Sequence, residues 1–244
     1  ASPYFSETGL YDSLGNLIEH DLDQTKHLYT YDGLSSLISE SNPDQAYAYD
    51  SLYNRIGLVN DVNQLLSQSY DVNGNQTTKQ TLTDEFHLSY DLLGRLIEAT
   101  SSTKKIVFSY DPLGRRLSKN IKVMTPLGWQ ESDTEDYFYN GNQEIGSNSS
   151  TLKSFRVLGT DKAIAIELNG KIFAPLHDIQ GNVRKLIDFN TKAVVESYAY
   201  TAFGEELHTG KTLNPWRFAS KRIDPELGLI NFGKRDYDPA SARW

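Results

Sequence analysis

The sequence contains no cysteine and a single methionine. Without thiols there is no disulfide framework, no thiolate zinc site and no thiol nucleophile. Positive charge is in short supply: 24 Lys and Arg stand against 32 Asp and Glu, a net charge of -8 over 244 residues. That balance opposes association with phosphate backbones and anionic lipid, so nucleic acid is not an expected partner. No apolar run approaches the roughly 18 residues of a membrane-spanning helix, and no charged-then-apolar leader opens the chain. Helix signals are weak, because Ser, Thr, Asn and Gly interrupt every long stretch. Gly-x-Ser-x-Gly elbows, Walker loops and dinucleotide fingerprints are missing too. The start at Ala1 and the stop at Trp244 read as a piece of a longer polypeptide.

What the chain does hold is aromatic residues, 15 Tyr and 10 Phe in a sequence only 38% hydrophobic. Enrichment of this kind fits half-buried pleated surfaces. The tyrosines are periodic. Tyr11-Asp12, Tyr31-Asp32, Tyr49-Asp50, Tyr70-Asp71, Tyr90-Asp91 and Tyr110-Asp111 start 20, 18, 21, 20 and 20 residues apart. Degenerate copies follow at Tyr139-Asn140, His177-Asp178 and Tyr200-Thr201. Three positions beyond the Asp stands a Gly followed by Asn or Arg, as in Gly15-Asn16, Gly74-Asn75, Gly94-Arg95, Gly114-Arg115 and Gly181-Asn182. Gly204-Glu205 keeps the Gly, whereas Ser35-Ser36 and Tyr53-Asn54 have lost it.

An Asp that can accept backbone amides ahead of it, followed by a Gly free to take positive φ, is a β-turn signature. Alternating stretches such as Phe86-His87-Leu88-Ser89-Tyr90 and Ile106-Val107-Phe108-Ser109-Tyr110 flank the turns and predict strands with one buried face. A unit of this size holds two short strands and their turns, and it is marginal alone. Each unit must therefore bury its apolar face against its neighbours in a stacked array. The regular array ends near Asn120, and the polar run Gly146-Ser147-Asn148-Ser149-Ser150 predicts a loop or hairpin tip. Beyond it, Ala163–Leu168 closes on the hairpin dipeptide Asn169-Gly170.

The Tyr and Asp of each unit fit a packing and turn role better than sugar binding, since they recur at one structural position. Asp71-Val72-Asn73-Gly74-Asn75 has the wrong acceptor order for a calcium loop, and Leu82 stands where a Glu ligand would fall. The five histidines, His20, His27, His87, His177 and His208, show no ligand spacing. No metal or cofactor site is expected.

The Tyr-Asp units resemble the YD repeats of the rearrangement hotspot (RHS) family. The C-terminal third carries the more specific likeness, to the RHS-associated core. Its parts are His177-Asp178-Ile179-Gln180-Gly181-Asn182-Val183, Tyr200-Thr201-Ala202-Phe203-Gly204 and Asn214-Pro215-Trp216-Arg217-Phe218. They are followed in order by Glu226-Leu227-Gly228-Leu229-Ile230-Asn231-Phe232-Gly233-Lys234-Arg235 and Asp236-Tyr237-Asp238-Pro239. The resemblance divides the chain into a YD-repeat hairpin array over 1–150 and a core region over 151–244 that ends before a downstream Asp-Pro motif. It implies an all-β fold in which tandem hairpins form a long spiralling β-sheet, a shell or barrel segment. It further implies a secreted or cell-surface protein, bacterial in the toxin branch. The shell would house a cargo polypeptide of the same protein and meet components of a delivery or secretion apparatus. The alternative within the family is a teneurin-type adhesion module that binds glycans or a cell-surface receptor.

Some RHS proteins cut their own chain after the core in an aspartyl-protease-like reaction, using an Arg-Asp pair and a second Asp about a dozen residues later. Arg235 and Asp236 match the pair, and position 248 would hold the second carboxylate. The competing role for Arg235 and Asp236 is a buried ion pair that fixes a strand end. Ala242 replaces the Gly that the family places before Arg-aromatic, so a tight turn is less favoured there.

Overall fold

The computed structural model describes residues 4–160, 162–207 and 213–244. Apart from one short 3-10 turn at Phe218–Ser220, its regular structure is β. A five-stranded meander holds β1 (Glu7–Tyr11), β2 (Leu17–Leu22), β3 (Thr25–Tyr31), β4 (Leu37–Glu40) and β5 (Gln45–Ala46). A twelve-stranded meander follows. Its first half is β6 (Thr78–Gln80), β7 (Glu85–Tyr90), β8 (Leu96–Thr100), β9 (Lys104–Tyr110), β10 (Arg116–Thr125) and β11 (Gly128–Asn140). Its second half is β12 (Gln143–Asn148), β13 (Lys153–Leu158), β14 (Ala163–Leu168), β15 (Lys171–His177), β16 (Val183–Asp188) and β17 (Val194–Ser197). The chain ends in a small sheet of β18 (Arg222–Asp224), β19 (Leu229–Asn231) and β20 (Asp236–Tyr237). Every pairing is antiparallel between sequence neighbours, and the ladders do not close into a barrel.

One turn geometry builds the array. At Asp12, the backbone N–H groups of Leu14 and Asn16 donate to Oδ1 at 2.9 and 2.8 Å, while the Asn16 amide donates to Oδ2 at 2.9 Å. The same bonds recur at Asp50 and Asp71. At Asp91 an Arg replaces the Asn as donor, so the turn is also an ion pair. This spends the carboxylate of Asp71 inside the turn. Gly94 takes φ +72° at the position before the Arg. Ser35 and Tyr53 adopt +63° and +62° at the equivalent place, so loss of Gly leaves the turn intact at a local backbone cost.

In three units the tyrosine hydroxyl ties the unit to the one before. Tyr110 Oη donates to the Leu96 carbonyl at 2.7 Å, Tyr31 to Leu17 at 2.9 Å and Tyr200 to Val183 at 2.9 Å. In each case the acceptor is the residue just past the Gly-Asn or Gly-Arg pair of the preceding Asp-centred turn. Strand register also slips at Tyr11, Tyr31, Tyr90, Tyr139 and His177, a bulge repeated in step with the sequence motif. Bulges bend and twist the strand that carries them. His177 thus takes the place that Tyr holds elsewhere; His208 lies outside the described residues.

The expected alternation holds on β7 and β9, where Phe86, Leu88, Ile106 and Phe108 are buried. Asn169 and Gly170 both take positive φ, +49° and +81°, as a two-residue hairpin of primed type requires. The polar run after Gly146 differs from the expected loop. Residues 146–148 belong to β12, because the Ser147 hydroxyl is buried against Glu135 and Arg222, and the tip falls at 149–152. The large sheet passes through residue 150 without a break.

Two contacts bring distant parts of the strip together. Glu7 accepts the Ile179 amide at 2.8 Å and Glu40 accepts the Ala202 amide at 2.7 Å, so the first sheet lies along turn tips more than 160 residues later. The final segment lies on the inner face of the large sheet. Leu227 and Leu229 pack with Phe86, Leu88, Ile106 and Phe108, while Trp216 joins Ile166, Phe173 and Leu186. Each such side chain, fully buried, contributes about 1.5–3 kcal/mol.

Candidate functional site

The inner face of β10 carries buried charge at a position that is hydrocarbon in several other units. The first residue after the turn pair is Leu17, Leu37, Leu96 or Val183 in four units, and Leu17, Leu96 and Val183 are buried there. At the Asp111 turn this position is Arg116, whose side chain is 2% exposed. Three residues on, Lys119 is buried as well. A charge taken from water into such a place must be paired, and the final segment supplies the partners.

Arg116 Nη1 donates to Asp224 Oδ2 at 2.5 Å, and Nη2 reaches Asp236 Oδ1 and Oδ2 at 3.1 and 3.4 Å. Lys119 lies 3.5 Å from Asp224, 3.3 Å from Glu226 and 3.3 Å from Glu135. Arg222 joins Glu135 and Glu144 at 2.9 and 2.7 Å, with the Ser147 hydroxyl at 3.0 Å. The network therefore links three cations to five carboxylates, Asp224, Asp236, Glu226, Glu135 and Glu144. Burial opposes ionisation of Asp224, but Arg116 and Lys119 outweigh it and hold that carboxyl below its ordinary 3.8. Asp236 goes the other way: burial, reinforced by the Asp224 charge, overcomes the attraction of Arg116 and raises its pKa. Two carboxyls on one guanidinium are thus shifted in opposite directions.

Asp236 also accepts the Asn231 side-chain amide at 2.9 Å and borders a cavity of about 340 Å³. Tyr90, Tyr110, Lys79, Asp238 and Trp244 line the same space. Burial pushes the Tyr110 hydroxyl up to about 12. Lys79 donates to Asp238 Oδ2 at 2.6 Å across 159 residues.

Of the two residues singled out in the sequence, Asp236 is in this network and Arg235 is not. Arg235 is exposed, with its guanidinium 5.1 Å from the Trp244 ring, and it makes no ion pair with Asp236 among the described residues. The buried-pair role predicted for Arg235 is thereby corrected: the arginine on Asp236 is Arg116, 120 residues upstream. Alignment of the repeats gives no specific signal for Arg116, because Arg55 and Arg222 stand at the same position in other units; its burial against Asp224 and Asp236 is what sets it apart. Ala242 adopts φ +57°, so the turn that the family closes with Gly forms with Ala.

A family model of the teneurin YD shell matches residues 6–244. The chain belongs to the teneurin YD-shell family. Among solved structures, this YD shell is similar to TcdB2-TccC3-Cdc42, with a TM-score of 0.74, 17% identity and 98% of the present chain covered. TcdB2-TccC3 matches with a TM-score of 0.72 at 17% identity over 98% of the chain, and a Photorhabdus luminescens Tc holotoxin pore with 0.70 at 18% identity over 96%. These likenesses establish the fold. The YD shell covers 16%, 16% and 15% of the chains it matches. No curated protein matches. Among the described residues no helix is long and apolar enough to cross a membrane.

Proposed function

We propose that this YD shell is a wall segment of a secreted or cell-surface RHS-type protein that encloses a polypeptide cargo of the same protein, and that Asp236 belongs to a self-cleavage site. The observation that carries the reading is the place of Asp236: a carboxyl disposed to keep its proton, beside a cavity on the inner side of the sheet. The matched holotoxin pore and TcdB2-TccC3 complexes, being toxin assemblies, support a partnership with cargo and delivery components.

In the reaction, water adds to a peptide carbonyl carbon and the C–N bond breaks. One carboxylate takes a proton from the water and the protonated carboxyl hands one to the leaving amine. Asp236 is the proton donor in this scheme. A second carboxylate, which the family resemblance would place at position 248 of a longer polypeptide, completes the set, with Arg235 the neighbouring cation. In a polypeptide that extends past residue 244, Asp236→Asn leaves one uncut band on a denaturing gel and slows cleavage by at least about a hundredfold. Normal processing by that variant refutes the proteolytic role.

The second reading, a teneurin-type adhesion module, draws on the family match itself. Saturable binding of the folded chain to a glycan array, with no enclosed segment in the longer protein, favours it over encapsulation.

A further inference from the structure

Asp236 sits on the last strand of the final segment, but what holds its carboxyl comes from the repeat array. Arg116 lies on β10, 108 residues from Asp224 and 120 from Asp236. Its guanidinium rests 4.2 Å from the Phe108 ring, and its Nε has no hydrogen-bond partner, so both carboxyl contacts run through the two terminal nitrogens. Those nitrogens are unequally used. The contact to Asp224 is short, at 2.5 Å, whereas the contact to Asp236 is split between 3.1 and 3.4 Å. Asp224 is 2% exposed, is approached by Lys119 through its other oxygen at 3.5 Å, and does not line the cavity. It has no free oxygen with which to meet a substrate, so a direct role in peptide cleavage does not fit it.

We propose that Arg116 and Asp224 are positioning residues for Asp236: Asp224 anchors one arm of the guanidinium so that only the other arm reaches the Asp236 carboxyl beside the cavity. The inference rests on the reading that Asp236 takes part in self-cleavage. It makes that site conditional on the wound array, because neither Arg116 nor the Phe108 ring is near Asp236 until β9 and β10 have docked on the final segment. An anchored arginine steers the carboxyl without forming the bidentate pair that would hold it ionised.

Two experiments on the same variants test the proposal. The first follows the Asp236 carboxyl of this chain by ¹³C NMR against pH. The second measures the rate and pH profile of cleavage in a polypeptide extended past residue 244. With Asp224→Asn, the charge that raises Asp236 is lost and Arg116 is freed to grip Asp236 with both arms, so the Asp236 midpoint falls, falls further than when Arg116→Lys is added to the same variant, and the cleavage optimum moves to lower pH. Arg116→Lys keeps the charge but cannot span both carboxyls, and cleavage slows by at least about tenfold while the melting transition is retained. If Arg116→Lys does not fold, the Asp224→Asn titration decides alone. An unchanged Asp236 midpoint in folded Asp224→Asn overturns the proposal. Wild-type cleavage by both folded variants, with Asp236→Asn inert, overturns it while leaving the proteolytic reading in place. Normal cleavage by Asp236→Asn removes the proteolytic reading, and the difference in midpoint between Asp224→Asn with and without Arg116→Lys then stands as the test of the clamp.

Discussion

Truncating Leu227 tests whether the final segment is an integral part of the core. Leu227 is 1% exposed and packs among Phe86, Leu88, Leu96, Ile106 and Phe108, all fixed on strands of the large sheet. Leu227→Ala removes three carbons from a site whose walls cannot readily collapse. Buried Leu→Ala changes cost about 2–5 kcal/mol, the sum of lost transfer energy and the cavity left behind. The near-complete burial of Phe86 and Ile106 puts this one at about 3 kcal/mol. For a chain of this length each kcal/mol moves Tm by about 2–4 °C, giving a fall of about 6–12 °C. Thermal melts followed by circular dichroism read it, with Leu92→Ala as control. Leu92 is fully exposed on a turn tip, and its truncation should stay within about 0.5 kcal/mol. Equal melting of Leu227→Ala and wild type would show that the final segment does not rest on the sheet, and the site built around Arg116 would lose its basis.

Three further outcomes follow from the same geometry. Gly94→Ala forces a side chain to φ +72° without a steric clash, so it should destabilise by about 1 kcal/mol in denaturant titration, while Ala242→Gly relieves the same strain at φ +57°. Tyr110→Phe deletes the bond to the Leu96 carbonyl and should cost about 1 kcal/mol, with faster amide exchange in the turn centred on Asp91. The pH dependence has two opposed parts. Asp12, Asp32, Asp50, Asp71, Asp91 and Asp111 all have lowered pKa values in the fold. Their stabilisation is therefore present above the ordinary 3.8 and is lost as pH falls through the lowered values. Asp236 is raised, so its share is present below 3.8 and is lost as pH rises through the raised value. Asp236→Asn should accordingly melt higher than wild type at neutral pH and match it in acid; a lower melt at neutral pH contradicts the sign.

The hairpin unit was legible because its chemistry is local: Asp accepts amides two and four residues ahead, and Gly supplies the positive φ between them. Two further units were hidden by substitution. Asn60 accepts the amides of Val62 and Gln64 with Asn63 at φ +61°, so an amide does the work of the carboxylate. Trp216 and Arg217 stand for Tyr-Asp in another, where the Arg217 amide donates to the Lys221 carbonyl and Ser220 takes φ +53°. Curvature was not legible from alternation, because it depends on bulges at the tyrosines that strand pairing reveals. The site was half legible. Asp236 belongs to a recognisable motif, whereas Arg116 and Asp224 meet it through the winding of the strip, and comparison of the repeats does not single out Arg116, since Arg55 and Arg222 hold the same position in their units.

Encapsulation is the central claim, and protease protection of a polypeptide extended past residue 244 tests it most directly. With the shell folded, the downstream segment should resist an added protease, and it should become digestible at the denaturant concentration where the β signal of the shell is lost. Digestion of that segment at an equal rate while the shell remains folded contradicts the account.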